Sequence, residues 1–119
     1  SSHRRQRQMC IRDRVLMDGD HSIDDCYSAT DRSLKSLFRH LDANGVNIKG
    51  TILKPNMVLS GSSASEQASI EEVAKKTLDC LMANVPSDLP GITFLSGGQS
   101  DFHATAHLDA MNKIGGFNW

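Results

Sequence analysis

A single lysine, Lys54, ends a short apolar run and is followed at once by proline, in the segment TILKPNMV at residues 51–58. Proline lacks a backbone N–H and pushes the residue before it toward extended geometry, so Lys54 is predicted at the carboxyl end of a strand. In folds of alternating strands and helices, that end of the sheet carries the chemistry. Apolar neighbours lower the pKa of a lysine and free its amine to attack a carbonyl. The alternative is a lysine that ends an edge strand and extends into water.

A second candidate site is the stretch SGGQS, which runs from Ser96 through Gly97 and Gly98 to Ser100. Paired glycines let the backbone turn tightly and expose its N–H groups, and a helix N-terminus behind them completes a cradle for an anion such as phosphate. Glycine pairs also mark ordinary strand-to-helix turns. Because the stretch lies one strand and helix after Lys54, we expect an amine and a phosphate cradle to face one substrate.

The elements that must position these residues repeat as a strand followed by a helix. Apolar runs predict strands at 15–17, 51–54 and 92–95, spaced as parallel strand–helix–strand units require. The fold class is therefore predicted to be α/β with a parallel sheet. A closed eight-stranded barrel needs on the order of 200 residues or more. At 119 residues, the chain is expected to be part of something larger.

Apolar residues at helical spacing predict three helices, with serine caps at Ser22 and Ser69 and a third helix that follows from Ser100. Glu72 supports the predicted start of the second helix at Ser69, because the two residues form a capping-box pattern. The stop signals are Asn44-Gly45, Asn84 with Pro86, and Gly115-Gly116. The residues predicted to face the core are Ile23, Cys26, Tyr27, Leu34, Leu37, Phe38 and Leu41, then Ile70, Val73, Ala74, Thr77, Leu78, Leu81 and Met82, and finally Ala104, Leu108 and Met111.

Composition argues against several classes of protein. Residues 1–14 carry a net charge of +4 within a total of −1, which leaves a mildly acidic body without the basic face of a nucleic-acid binder. No apolar run approaches the roughly 20 residues of a membrane span, and no apolar stretch follows the N-terminal arginines as in a secretory signal. Three widely spaced cysteines, Cys10, Cys26 and Cys80, predict reduced thiols in a cytoplasmic protein.

Two further groups of residues resemble metal sites. Asp18, Asp20 and His21 follow a predicted strand, but capping of the next helix by Asp20 or Ser22 explains them without a metal. His103 and His107 have the i, i+4 spacing of zinc-binding helices, but no glutamate lies between them and no third ligand is evident. We therefore expect two exposed histidines and no metal site.

Three segments resemble class I fructose-bisphosphate aldolase, in the order and spacing of that family: LMDGDH at 16–21, GTILKPNMV at 50–58 and GITFLSGGQS at 91–100. The sequence AMNK at 110–113 extends the resemblance, which covers roughly residues 15–119. It implies a partial TIM (β/α)8 barrel, of which this chain supplies about the fifth, sixth and seventh strands. Residues 1–14 match nothing in the family, so they are predicted to be a basic arm joined to the barrel domain as an artefact, with a targeting arm as the alternative.

The resemblance also implies a reaction. Lys54 is similar to the lysine that forms a Schiff base with dihydroxyacetone phosphate when fructose 1,6-bisphosphate is cleaved in glycolysis. Ser96, Gly97 and Gly98 match the stretch that binds a substrate phosphate. No metal or other cofactor is implied, because the iminium does the work of a polarising metal. The only partner implied beyond the sugar phosphate is the family's usual homotetramer, with neither nucleic acid nor membrane.

One departure from the family affects the chemistry directly. Where the family has Glu-Pro-Glu, whose first carboxylate is a general acid and base, this chain has Arg12-Asp13-Arg14. Loss of that carboxylate removes a proton carrier, so this chain is expected to have little or no activity. Two alternatives are a non-catalytic phosphate-binding module, in which Lys54 only pairs with the anion, and a nucleic-acid binder that uses the arginine arm.

Overall fold

A parallel three-stranded sheet with a helix after each strand forms the fold of the computed structural model, which describes residues 9–13, 19–95 and 98–115. The elements are β1 (Met9–Asp13), α1 (Ile23–Ala43), β2 (Thr51–Pro55), α2 (Ile70–Asn84), β3 (Gly91–Ile92) and α3 (Asp101–Ile114), with a 3-10 turn at Ile48–Gly50. The strand order is β1-β2-β3, so β2 lies in the centre. The predicted α/β class with a parallel sheet is confirmed.

The strand positions agree with the sequence for β2 and differ for β1. β2 begins at Thr51 as predicted and includes Pro55. The first described strand is β1, within the segment predicted to be a non-family arm, whereas the strand predicted at 15–17 lies outside the described residues. β3 is shorter than predicted, although the N–H groups of Thr93 and Leu95 still donate to β2 carbonyls at 2.9 and 3.1 Å.

Helix α1 begins at the predicted cap. The Ser22 hydroxyl accepts from the Asp25 N–H at 3.1 Å, and the Asp25 carboxylate accepts from the Ser22 N–H at 3.4 Å, which forms a reciprocal capping box. The helix ends at Ala43 and is capped by Asn44, whose side chain donates to the His40 carbonyl at 2.7 Å. Local hydrogen bonds thus fix both ends, as the sequence predicts.

Helices α2 and α3 also begin at their predicted serines, but parts of their buried faces differ from the prediction. The Ser69 hydroxyl accepts from the Glu72 N–H at 3.1 Å, and the Ser100 hydroxyl accepts from the His103 N–H at 3.2 Å. Met82 was expected in the core and is 51% exposed, because the buried stripe of α2 turns toward Cys80 instead. At the end of α3, Gly115 adopts a φ of +69° and stops the helix as predicted.

The core lies between the sheet and the helices. In β2, Thr51, Leu53 and Pro55 are buried while Ile52 and Lys54 are half-buried, as expected when alternate residues of a strand face opposite sides. The helix-facing side of β2 therefore packs into the core. The buried hydrophobic cluster comprises Ile23, Cys26, Leu34, Leu53, Met57, Val58, Leu59, Val73, Ala74, Leu78, Cys80, Leu81, Val85, Leu89 and Met111.

A close backbone contact at Gly61 predicts that a methyl group there destabilises the fold. A Cβ at Gly61 would lie 2.4 Å from the Gly19 carbonyl oxygen and 2.9 Å from the His21 nitrogen. The Gly61 N–H also donates to the His21 carbonyl at 2.8 Å, so the backbones cannot separate without losing this bond. We expect Gly61→Ala to lower the free energy of unfolding by about 2 kcal/mol or more, measured by urea denaturation.

Gly91→Ala is the matched control for this substitution. The nearest atom to a Cβ at Gly91 is Ile52 Cγ1 at 3.8 Å, an ordinary contact. The free energy of unfolding should therefore change by less than about 1 kcal/mol. Equal urea midpoints for the two variants would contradict the predicted clash.

None of the described helices is long and apolar enough to cross a membrane.

Candidate active site

Lys54 lies one residue before the carboxyl end of the central strand, on the side of β2 opposite the helix-packed Leu53. Its side chain is half-buried. In the parallel register, the Cα of Lys54 pairs with that of Arg12 in β1. On the other side, the Thr93 N–H donates to the Leu53 carbonyl. Two neighbouring segments of backbone therefore fix the position of the lysine.

The segment after β2 is held to the helices by buried hydrogen bonds. The Val58 N–H donates to the Thr77 hydroxyl at 2.9 Å, and the Leu59 N–H donates to the Cys26 sulfur at 3.4 Å. The Asn56 side chain donates to the Thr30 hydroxyl at 3.3 Å. These bonds fix the path of the chain where it leaves β2, directly after the strand that carries Lys54.

Sequence reasoning missed part of this support. It placed Cys26 and Thr77 in the core for their helical spacing alone, and it did not include Thr30. All three are at most 3% exposed, and each contacts a residue of the 56–59 segment far away in sequence. A polar residue within a helix's apolar stripe is a signal for such a partner, because a buried polar group needs a hydrogen bond.

The predicted phosphate cradle is described only at its C-terminal end. Ser96 and Gly97 lie outside the described residues. Gly98 is exposed in a turn with a φ of +95°, a conformation that favours glycine, and Ser100 caps α3 behind it. A glycine turn followed by a helix N-terminus is thus present after β3, and phosphate binding there stays a prediction.

No group of three metal-binding side chains occurs within residues 19–95 and 98–115. In the group Asp18, Asp20 and His21, Asp18 lies outside the described residues. Ser22 caps α1, which is the alternative to a metal site that the sequence predicts. His21 is half-buried, and its Nε2 atom is buried without a hydrogen-bond partner in the described residues.

The expectation of two exposed histidines on α3 is wrong for one of them. His103 is exposed, whereas His107 is only 5% exposed and Leu108, which was expected to be buried, is 43% exposed. The helix is therefore rotated so that His107 faces inward, where its Nδ1 lies 2.7 Å from Gln99 Oε1. Burial and the neighbouring His103 lower the pKa of His107.

The described cysteines are free thiols, as predicted. Cys26 and Cys80 are both buried, and burial raises the pKa of Cys80 to about 12. Since the thiolate is the reactive form, Cys80 is a packing residue and not a nucleophile. Lys54 is therefore the better candidate for a nucleophile near the strand ends.

Comparison with known proteins identifies the family. A sequence model described as "Fructose-bisphosphate aldolase class-I" matches residues 6–119. The chain belongs to the class I fructose-bisphosphate aldolase family. The chain is 53% identical over 105 residues to a probable class 1 fructose-bisphosphate aldolase of Xanthomonas campestris. The aligned region covers 88% of the chain and 31% of the relative. The chain is 43% identical over 100 residues to fructose-bisphosphate aldolase B of Sparus aurata, covering 84% of the chain and 28% of the relative.

A solved aldolase has the same local fold. Fructose-bisphosphate aldolase from Plasmodium falciparum, solved in complex with TRAP and a small-molecule inhibitor, aligns with a TM-score of 0.90 and 38% identity. The alignment covers 92% of this aldolase chain and 32% of the solved chain. The chain thus spans about a third of the length of the relatives that it matches.

The family match includes part of the predicted N-terminal arm. It begins at residue 6, and β1 at Met9–Asp13 pairs with the lysine-bearing strand of this aldolase chain. The sheet therefore uses residues from the arm, while their origin as an artefact stays a prediction.

Proposed function

We propose that this chain is part of a metal-independent fructose-bisphosphate aldolase in which Lys54 forms a Schiff base with dihydroxyacetone phosphate. The observation that carries the proposal is the position of Lys54, half-buried near the carboxyl end of the central parallel strand in a chain of this family. That end of a strand is where barrel enzymes hold their catalytic groups. The three strands would be about the fifth, sixth and seventh of an eight-stranded barrel.

In the proposed reaction, the Nζ of Lys54 attacks the ketone carbon of fructose 1,6-bisphosphate to give a carbinolamine. An acid protonates the carbinolamine hydroxyl, which leaves as water, and a protonated imine remains. A base takes the proton of the C4 hydroxyl, the C3–C4 bond breaks, and its electron pair moves to the imine to give an enamine. Glyceraldehyde 3-phosphate leaves. Protonation and hydrolysis of the enamine then release dihydroxyacetone phosphate and restore the amine.

The substrate's phosphate would be bound by the glycine-rich turn after β3. Gly98 contributes a positive-φ turn ahead of the Ser100-capped helix, and Ser96 with Gly97 would supply a hydroxyl and an N–H group. An anion is favoured there because backbone N–H groups and the helix N-terminus are both partly positive. No cofactor takes part in this scheme.

We propose that this chain by itself cleaves fructose 1,6-bisphosphate slowly or not at all. Arg12 lies in register with Lys54 at the position where the family resemblance places the acid and base carboxylate. A guanidinium cannot carry the proton at neutral pH. The proposed setting for the whole enzyme is a cytoplasmic homotetramer that acts in glycolysis.

The competing proposal is a non-catalytic phosphate-binding module, in which Lys54 pairs with the anion without bonding to it. Borohydride trapping separates the two. The chain is incubated with dihydroxyacetone phosphate and reduced, and the adduct is located by peptide mass mapping. A single adduct at Lys54 supports the aldolase proposal. No adduct, or adducts scattered over all lysines, would leave the family membership intact and overturn the imine at Lys54.

A further inference from the structure

A cavity of about 250 Å³ lies between the segment that follows β2 and the first half of α3. Its described lining includes Ser60, Gln67, Gln99, His103 and His107. Lys54 is not part of this lining, whereas Gly98 and Ser100 of the proposed phosphate-binding turn are, so the cavity adjoins that turn. Two imidazoles meet here, and the proposed aldolase reaction uses neither of them.

The two imidazoles lie one helical turn apart on the same face of α3. Their ring centroids are 6.0 Å apart and the ring planes are inclined by 35°. Two histidines at i and i+4 are the arrangement by which a helix chelates a metal ion. His107 is almost fully buried and held in place, whereas His103 is exposed and can shift its ring without disturbing the core.

In both rings Nδ1 makes the hydrogen bond, so Nε2 is the nitrogen left for a ligand. Gln99 Oε1 can only accept, so the contact at 2.7 Å requires a proton on His107 Nδ1 and leaves the Nε2 lone pair available. His103 Nδ1 lies 2.9 Å from the Ser100 hydroxyl, which can accept the Nδ1 proton in the same way. A hydrogen bond of this kind behind a ligating ring is typical of metal-binding histidines.

We propose that His103 and His107 chelate one divalent transition-metal ion through their Nε2 atoms, with water completing the coordination. Imidazole nitrogen selects Ni²⁺, Cu²⁺ and Zn²⁺ over Mg²⁺ and Ca²⁺, which prefer oxygen. The two Nε2 atoms must come within about 3–3.5 Å of each other to share an ion at bond lengths near 2.1 Å and at octahedral or tetrahedral angles. The exposed His103 side chain would move toward His107 to provide that approach, at the cost of its Nδ1 contact with the Ser100 hydroxyl.

The surroundings add no competing charge. Apart from the two histidines, the described lining of the cavity holds no acidic or basic side chain, so nothing there neutralises the ion or repels it. Because no third histidine, cysteine or carboxylate joins the group within the described residues, the ion would be bound by two protein ligands. This number of ligands predicts a readily exchangeable ion and not one that is required for folding.

Zinc titration with imidazole ¹⁵N NMR tests the proposal on the whole chain. We expect one equivalent of Zn²⁺ to shift the Nε2 resonances of His103 and His107 together, with little change at the other histidines. Equal shifts at all histidines, or Zn²⁺ binding that leaves these two resonances unmoved, would overturn it. The second result would also be obtained if Zn²⁺ bound only to thiols.

Two substitutions distinguish chelation from binding by a single ring. His103→Gln, at an exposed position, should weaken Zn²⁺ binding at least tenfold with an unchanged circular dichroism spectrum. The control is His40→Gln, since His40 is also exposed on a helix and its i±4 neighbours are Ser36 and Asn44. The His40→Gln variant should bind Zn²⁺ with the affinity of the unchanged chain. Equal affinity for the His103→Gln variant and the unchanged chain would rule out the proposed pair.

Discussion

Replacement of Lys54 by methionine is expected to abolish the borohydride-trapped adduct with dihydroxyacetone phosphate. The unbranched methionine side chain fills much of the same half-buried space, so the fold should be kept while the only proposed nucleophile is removed. The measurement is the mass of the reduced chain after incubation, followed by peptide mapping.

Lys49→Met is the matched control for this experiment. Lys49 lies in the short 3-10 turn before β2, and its side chain is exposed. Its replacement should leave the adduct yield unchanged. An adduct of undiminished yield on the Lys54→Met variant would show that other amines react and would remove Lys54 from the mechanism.

Replacement of Arg12 by glutamate is expected to speed imine formation by about 100-fold or more. Arg12 and Lys54 are Cα partners in the parallel register, so the substitution puts a carboxylate at the strand position that pairs with the lysine. General acid–base catalysis contributes roughly 10²–10⁴-fold when the proton carrier is well placed. The measurement is the initial rate at which the Lys54 adduct accumulates under borohydride.

Arg12→Gln separates the two effects of this substitution. Glutamine removes the positive charge at residue 12 without supplying a proton carrier, so any gain that it shares with glutamate comes from loss of that charge. We expect a much smaller increase in rate for glutamine than for glutamate. The same rate for both variants would exclude a proton-transfer role at residue 12.

The helix boundaries could be predicted because local hydrogen bonds determine them. Ser22, Ser69 and Ser100 each accept from an N–H three residues later, and such a bond needs no distant partner. β2 could also be predicted, since an apolar run and Pro55 mark its extent within a few residues. Each of these signals lies within about four residues of the feature that it determines.

The exposed and buried faces were harder to predict, because they depend on what packs against each helix. Leu108 and Met82 are apolar and stand near apolar stripes, yet both are exposed on the faces that no described element covers. His107 is buried, and Gln99 provides its ring with a hydrogen-bond partner. Helical spacing predicts which residues share a face of a helix, but it does not predict how much of that face is covered by the rest of the protein.

Taken by itself, the sequence determined the α/β class, the serine-capped helices and a lysine at a strand end before proline. Only the tertiary structure decided that β1 lies at Met9–Asp13, that Arg12 is the register partner of Lys54, and that His103 and His107 share a cavity. The physical reason is how far apart along the chain the interacting residues lie. Caps and strand ends depend on neighbours along the chain, whereas register and burial depend on contacts between residues tens of positions apart.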